Sequence, residues 1–392
     1  MLYFVVLFLL MVLIFRYDIT GIKVGRDTWY VIVLIILVLI AGLRWRLGED
    51  TTVYLNQFYY VIPRIKDISS EDLNIGSKPL WLLLNSAVLS TGGRFWMVQL
   101  IHATVINVLL FAYFKKHCQF IFTCVFFYFI WSYFNQNMQE MKASFSVVLC
   151  LYGNDYLLEK KRIKGLSLYL LGCLFHFSTL LILVTPLVLW LKFNKTGIWI
   201  IIISYFMGFV LKDNFDNFLM MLDFDEDIMY KAEHWAEGMD KEWTIFYYLV
   251  NVAPYVIYAI ISLRILKLKH LDDKFLKLEP FVILGIITFM IEINVRMFYR
   301  YTHFYLPYFI ILFSTVICSS IRKHKELTFA RIVGNYLFFL PVFFAISMYF
   351  ISAKRYKMYY PYSSVIERKI DWDRENLYNY GREVPLPNTN EY

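Results

Sequence analysis

Hydrophobic positions along the chain fall into long blocks, not into the alternating or one-sided patterns of a soluble domain. The runs 30–43, 120–131, 180–191 and 198–210 are free of charged residues, and similar runs recur along nearly the whole chain with polar punctuation between them. A helix needs roughly 17–25 apolar residues to cross a bilayer, and fewer where half-helices meet inside protein. The pattern therefore predicts spans near residues 1–15, 29–43, 94–114, 118–134, 143–158, 178–193, 197–211, 244–264, 280–295, 303–320 and 331–352. Two shorter runs, 80–89 and 165–175, each cover about half a bilayer at a rise of about 1.5 Å per residue. They are predicted as re-entrant, tilted or short spanning helices. The expected fold is all-α, a polytopic integral membrane protein of about 11–13 transmembrane helices. One membrane domain over 1–352 would be followed by a polar, Tyr-rich tail, 353–392, that packs on the loops at one face or is partly disordered.

Composition sharpens this picture. The 392 residues are 59% hydrophobic and 18% charged, against about 45–50% apolar and about 25% charged in soluble proteins. That balance excludes a soluble enzyme, a disordered chain, a disulfide-rich secreted domain and a nucleic-acid-binding module. The five cysteines lie in or beside apolar runs without metal-ligand spacing and are expected to pack. Residues 1–15 have no basic segment and no small-residue cleavage site, so they are expected to remain as a first helix.

The net charge of +8 reads as orientation, because short loops rich in Lys and Arg stay cytoplasmic. Four loops qualify: 115–117, 159–164, 267–277 and 322–325. The loop 212–242 holds ten acids against three lysines and should lie outside. These assignments agree if 165–175 crosses, the run after it returns, and 80–89 does not cross. Loops 44–79 and 212–243, the turn 135–142, the region around Arg296 and the tail then share the outer face. No inverted repeat of the kind common in transporters is visible, which counts against transport.

Four groups of residues could carry chemistry. In the segment 42–54, Arg44 and Arg46 precede Gly48, Asp50 and Tyr54. Guanidinium forks match phosphate oxygens, and a nearby carboxylate can orient them or take a proton; the same arginines could equally anchor a helix end among lipid headgroups. Lys142 opens a helix on the outer face against the charge bias, as a snorkelling side chain or as an anion ligand. His176, two residues before Ser178, sits where a half-length helix meets the next, either as a buried hydrogen-bonded group or as an acceptor of a hydroxyl proton. Glu292, Asn294, Arg296, Arg300 and His303 gather where one span ends and another starts. There, i,i+4 spacing allows a Glu292–Arg296 pair or an Arg296–Arg300 clamp, and the alternative is an interfacial salt bridge within an aromatic belt. Aromatic residues make up 20% of the chain, and some could stack on sugar rings.

Arg44 through Gly48, Asp50 and Tyr54, then His176-x-Ser178, then Arg296 and Arg300 before a Tyr-rich helix start, and Pro361-Tyr362 in the tail together resemble the EpsG-like branch of Wzy-type bacterial polysaccharide polymerases. Two positions depart from that pattern: Lys78-Pro79 stands where the family has Glu-Pro, and Lys142 where it has Arg.

The resemblance implies a multi-pass protein of the bacterial cytoplasmic membrane. Such a protein would join undecaprenyl-diphosphate-linked oligosaccharide repeat units into an O-antigen, capsule or exopolysaccharide, with no metal or cofactor. A flippase and a chain-length regulator would be its pathway partners. Arg44, Arg46, Arg296 and Arg300 would face the diphosphate, Asp50 or His176 the acceptor hydroxyl, and Lys142 a carrier or acceptor phosphate. Tyr54, Ser178 and Glu292 complete the implied substrate set. A lipid-linked oligosaccharide ligase, a polysaccharide flippase and a membrane acyltransferase are the competing readings.

Overall fold

The structure is a computed structural model that describes residues 2–73, 78–213, 252–269, 272, 275–295, 298–322 and 328–378. Most of the acidic loop 212–242, Arg296 and residues 323–325 of the last basic loop lie outside the described residues, as does the tail beyond residue 378.

The described chain is helical. Its α-helices are α1 (Leu2–Leu13), α2 (Arg26–Gly42), α3 (Glu49–Tyr60), α4 (Pro79–Ser90), α5 (Phe95–His117), α6 (Ile121–Trp131), α7 (Met141–Leu158) and α8 (Arg162–Phe175). They continue as α9 (Lys195–Asp213), α10 (Ala253–Lys269), α11 (Glu279–Glu292), α12 (Tyr299–Arg322), α13 (Phe329–Phe338), α14 (Leu340–Ile351) and α15 (Trp372–Tyr378). Among the described residues, four helical stretches are both long and apolar enough to cross a membrane unaided: Leu2–Ile19, Phe95–His117, Lys195–Lys212 and Tyr299–Arg322. An all-α polytopic membrane protein follows, because only internally hydrogen-bonded helices satisfy so apolar a chain in lipid.

Other apolar runs are broken into shorter pieces, and local chemistry explains the breaks. The run 118–134 yields only α6, followed by a π-helical turn at Asn135–Gln139. There the buried amide of Asn137 donates to the Tyr133 carbonyl at 3.0 Å and to the Tyr128 hydroxyl at 2.7 Å. Such side-chain bonds offer the backbone an alternative to the regular ladder. The segment after α8, predicted as the start of a regular span, is a 3-10 helix over Phe177–Val188 with Pro186 inside it. Proline supplies no N–H to an α-helical ladder.

Two polar ends can be read from long-range contacts. At the basic-loop end, Arg322 donates to the Tyr17 carbonyl at 2.8 Å, Lys116 and His117 meet Asp155 at 2.7 and 2.9 Å, and Lys115 pairs with Asp27 at 3.0 Å. At the tail end, the Tyr3 hydroxyl donates to the Tyr359 carbonyl at 2.9 Å, and the tail lies against the 43–48 segment. The 165–175 run forms α8, which runs from the first end to the second. It packs on α7 through facing glycines: a Cβ on Gly165 would stand 2.9 Å from the Gly153 carbonyl oxygen, and one on Gly153 3.1 Å from that of Gly165. Small residues of this kind let helices in lipid approach backbone to backbone. The long helix α12 is the axis of the bundle, buried from Phe304 to Ser319 without a break, while Leu187 of the 3-10 segment and Trp199 of α9 are exposed, at 72% and 62%.

Candidate functional site

The 43–48 segment turns back at the end of α2 to start α3, and its shape rests on Gly48. That residue holds φ at +94°, and a Cβ there would stand 2.0 Å from the Met138 carbonyl oxygen. Only glycine tolerates both conditions. Gly48→Ala is therefore expected to cost about 1–3 kcal/mol from the backbone alone, with the clash added, and to lower the thermal midpoint of the detergent-solubilised protein. An unchanged midpoint would show that the turn can relax.

Arg44 is wholly buried at the centre of this turn. Its Nε donates to the Leu47 carbonyl at 3.2 Å, Nη1 to the Ala41 carbonyl at 2.5 Å, and Nη2 to the Thr51 hydroxyl and the Met141 sulfur, both at 3.2 Å. The guanidinium thus ties the end of α2 to the starts of α3 and α7. Arg46 forms a bidentate pair with Glu375, both contacts at 2.7 Å and both side chains nearly inaccessible. The tail is further fixed by Trp45 N–H to the Ser363 carbonyl at 2.8 Å, Val365 N–H to the Leu43 carbonyl at 2.9 Å and Gly48 N–H to the Met358 carbonyl at 3.0 Å. Arg374 closes it by donating to the carbonyls of Lys357 and Pro361. The part of the tail that is described, up to Tyr378, is a docked element.

Beside this turn lies a second cluster, built from α3, α4, α7, α8 and α12. Lys142 donates to the Gln57 side-chain oxygen at 3.2 Å and sits 4.8 Å from the centre of the Tyr54 ring and 5.8 Å from that of Trp81. Two residues earlier, Glu140 accepts from His303 Nδ1 at 2.8 Å, and His303 also faces the Asn135 amide at 3.2 Å. Burial alone would raise the Glu140 carboxyl, but His303, with Arg300 and His176 beyond it, holds it below the ordinary glutamate range. A depressed carboxylate stabilises the fold fully above its ordinary pKa, and that contribution is lost as pH falls through the depressed value.

His176 lies in the turn between α8 and the 3-10 segment that follows it. Its imidazole is pushed down to about 3, first by burial and then by Arg300 and Lys78, with Lys142 adding to the effect and Glu140 opposing it. These charges are close enough to act on one ring, so Lys78, Glu140, Lys142, His176 and Arg300 form one electrostatic unit. The ring is neutral at neutral pH, the form that accepts a proton. The Tyr54 hydroxyl lies in the same field, with Asp50, Glu140, Arg300 and Arg44 around it.

The residues singled out in the sequence thus divide. Lys142, Tyr54, Asp50, His176 and Arg300 come together, while Arg44 and Arg46 lie in the neighbouring turn. Glu292 ends α11 and is half-buried. Arg296 and the Ser178 side chain lie outside the described residues. Sequence reasoning missed the Glu140–His303 pair, the part played by Lys78 and the contribution of Glu375. The only hint of the first was the polar stretch 135–140 between two apolar runs.

The fold and this cluster define a polytopic membrane protein with a cation-rich polar site at one end of its helical bundle. Its family is identified by sequence: the model of the EpsG family matches residues 27–364, and the chain belongs to that family. This supports a polymerase-like role in polysaccharide biosynthesis. Neither a curated protein nor a solved structure matches the chain.

Proposed function

We propose that the protein joins oligosaccharide repeat units carried on undecaprenyl diphosphate, at the outer face of the bacterial cytoplasmic membrane. The observation that carries this reading is the polar cluster at one end of the bundle, where Lys142 lies against the Tyr54 and Trp81 rings and beside the Glu140–His303 pair, with Lys78, Arg300 and His176 in the same field. A reaction that expels a lipid diphosphate needs positive charge where negative charge builds, and a base at the attacking hydroxyl.

In this reading an acceptor sugar hydroxyl attacks the anomeric carbon of the donor as the bond to the diphosphate oxygen breaks. A bound diphosphate would offset Arg300, Lys78 and Lys142 and so raise the basicity of His176, which then takes the hydroxyl proton while the three cations stabilise the departing diphosphate. Asp50 orients the acceptor. Tyr54 and Trp81 hold Lys142 through its contact with their ring faces. Arg44 and Arg46 act through the turn they tie together, so their loss would misplace Asp50 and Tyr54. Arg296, Ser178 and Glu292, adjoining the cluster in sequence, are assigned to the same substrate.

Incubation of the purified protein with one defined undecaprenyl-diphosphate-linked repeat tests the reading. A ladder of lengths is expected. Transfer only to an acceptor that lacks the lipid would make the protein a ligase, and movement across vesicles without bond formation would make it a transporter. Orientation has its own check: a cysteine replacing Lys369 in the exposed tail should react with a membrane-impermeant maleimide in intact spheroplasts, and one replacing Lys161 should not. The opposite labelling would place the site in the cytoplasm and remove this substrate.

A further inference from the structure

His102 lies in α5, one of the stretches long and apolar enough to cross a membrane, and its side chain is wholly buried. An ionisable group at such a position is costly and rarely serves packing alone, for which an apolar side chain would do. Its Nε2 stands 2.7 Å from the Ser144 hydroxyl of α7, and that hydroxyl donates to the Met141 carbonyl at 2.8 Å. With the single hydroxyl hydrogen given to the carbonyl, Nε2 carries the imidazole proton and donates to Ser144. Nδ1 is buried and has no hydrogen-bond partner among the described residues. The ring is held in this orientation by Phe145, which meets it edge-on at 5.1 Å between centres and is itself stacked on Phe175 at 4.4 Å.

Ser144 closes the first turn of α7. Its N–H donates to the Glu140 carbonyl at 3.0 Å and its hydroxyl to that of Met141, so the backbone that carries Lys142 is fixed from both sides. The same turn is held from α2 by Arg44, which donates to the Met141 sulfur, and from α12 by His303, which donates to Glu140. His102 supplies the polar hold from α5.

We infer that His102 is a positioning residue: through Ser144 it fixes the start of α7, and with it the place of the Lys142 ammonium against the Tyr54 and Trp81 rings. The inference rests on the proposed polymerase reading for what Lys142 does in the reaction, and its test includes a measurement that requires no turnover.

The full-length protein in nanodiscs is compared with His102→Leu, which removes the donor, His102→Gln, which offers an amide N–H near the place of Nε2, and Ser144→Ala, which removes the acceptor. With the lipid-linked repeat, His102→Leu and Ser144→Ala should each lower kcat by about 10–100-fold and leave KM within about threefold, the pattern of a misplaced group that acts in the transition state. His102→Gln should stay within about threefold of the wild type, because the donor is kept. In a Lys142→Ala background, His102→Leu should cost less than about threefold more, since both act through one ammonium. Independently of turnover, the rate at which Lys142 is acetylated by a water-soluble reagent, read by mass spectrometry against Lys161 of the same molecule, should change at least about threefold in His102→Leu and Ser144→Ala, because an ammonium's reactivity follows its surroundings. If His102→Leu does not elute as a single species, Ser144→Ala, which removes one oxygen, carries the test.

A kcat near that of the wild type in Ser144→Ala, or a His102→Gln protein as poor as His102→Leu, would overturn the inference and leave His102 a packing residue. So would a full further loss in the Lys142→Ala background, or an unchanged acetylation rate at Lys142. Unchanged kinetics and acetylation in a protein that still makes a ladder remove this inference alone. A changed acetylation rate in a protein that makes no ladder keeps His102 as the residue that positions Lys142 and removes the polymerase reading.

Discussion

Arg300→Ala is expected to reduce polymer formation by about 10²–10³, the loss typical when one preorganised charge contact to a developing anion is removed. Arg300 is the largest charge acting on the His176 ring and also acts on Glu140 and Tyr54. A contact that strengthens as the diphosphate leaves should show in kcat more than in KM. Arg300→Lys should fall between the wild type and the alanine variant, because an ammonium keeps the charge but not the fork. The wild-type kcat/KM, which reports groups of the free protein, should show no His176 limb between pH 5 and 9, since an imidazole pushed down to about 3 stays neutral throughout that range. His176→Gln should lose most turnover at every pH, because an amide takes no proton. Initial rates with the lipid-linked repeat at matched protein abundance decide these points. Near-normal polymer from Arg300→Ala would remove the cluster from the chemistry.

Glu375→Ala is expected to have the largest effect on stability. It leaves the Arg46 guanidinium buried without its bidentate carboxylate, and breaking a buried pair from one side typically costs about 3–5 kcal/mol. The tail would lose its deepest anchor, so limited proteolysis should cut within 359–371 sooner than in the wild type. Exchanging the partners, Arg46→Glu with Glu375→Arg, should recover most of the thermal midpoint, because the site keeps one charge of each sign. A Glu375→Ala protein as stable and as protease-resistant as the wild type would show that the tail is held by its backbone contacts and Arg374 alone.

Class, architecture and family could all be read from the chain. Uncharged blocks of membrane length have one solution in lipid, helices that satisfy their own backbone, and block length and loop charge are local properties of the sequence. The short motifs around Asp50, His176 and Arg300 are local as well, which is why they carried the family resemblance later matched over residues 27–364. The breaks within spans were less legible: the π-turn at 135–139 and the 3-10 segment at 177–188 come from polar side chains and a proline competing with the regular ladder.

What only the tertiary structure decided is which charges meet. His303 reaches Glu140 across 163 positions and Glu375 reaches Arg46 across 329, separations at which no periodicity or spacing rule operates. From sequence, Arg44 and Arg46 were two equivalent candidates for a phosphate. In the fold one is enclosed by carbonyls and Thr51, and the other is matched by a carboxylate from the tail. The reason is physical: a buried cation needs compensating partners, and their identity depends on which distant segments packing brings within about 3 Å.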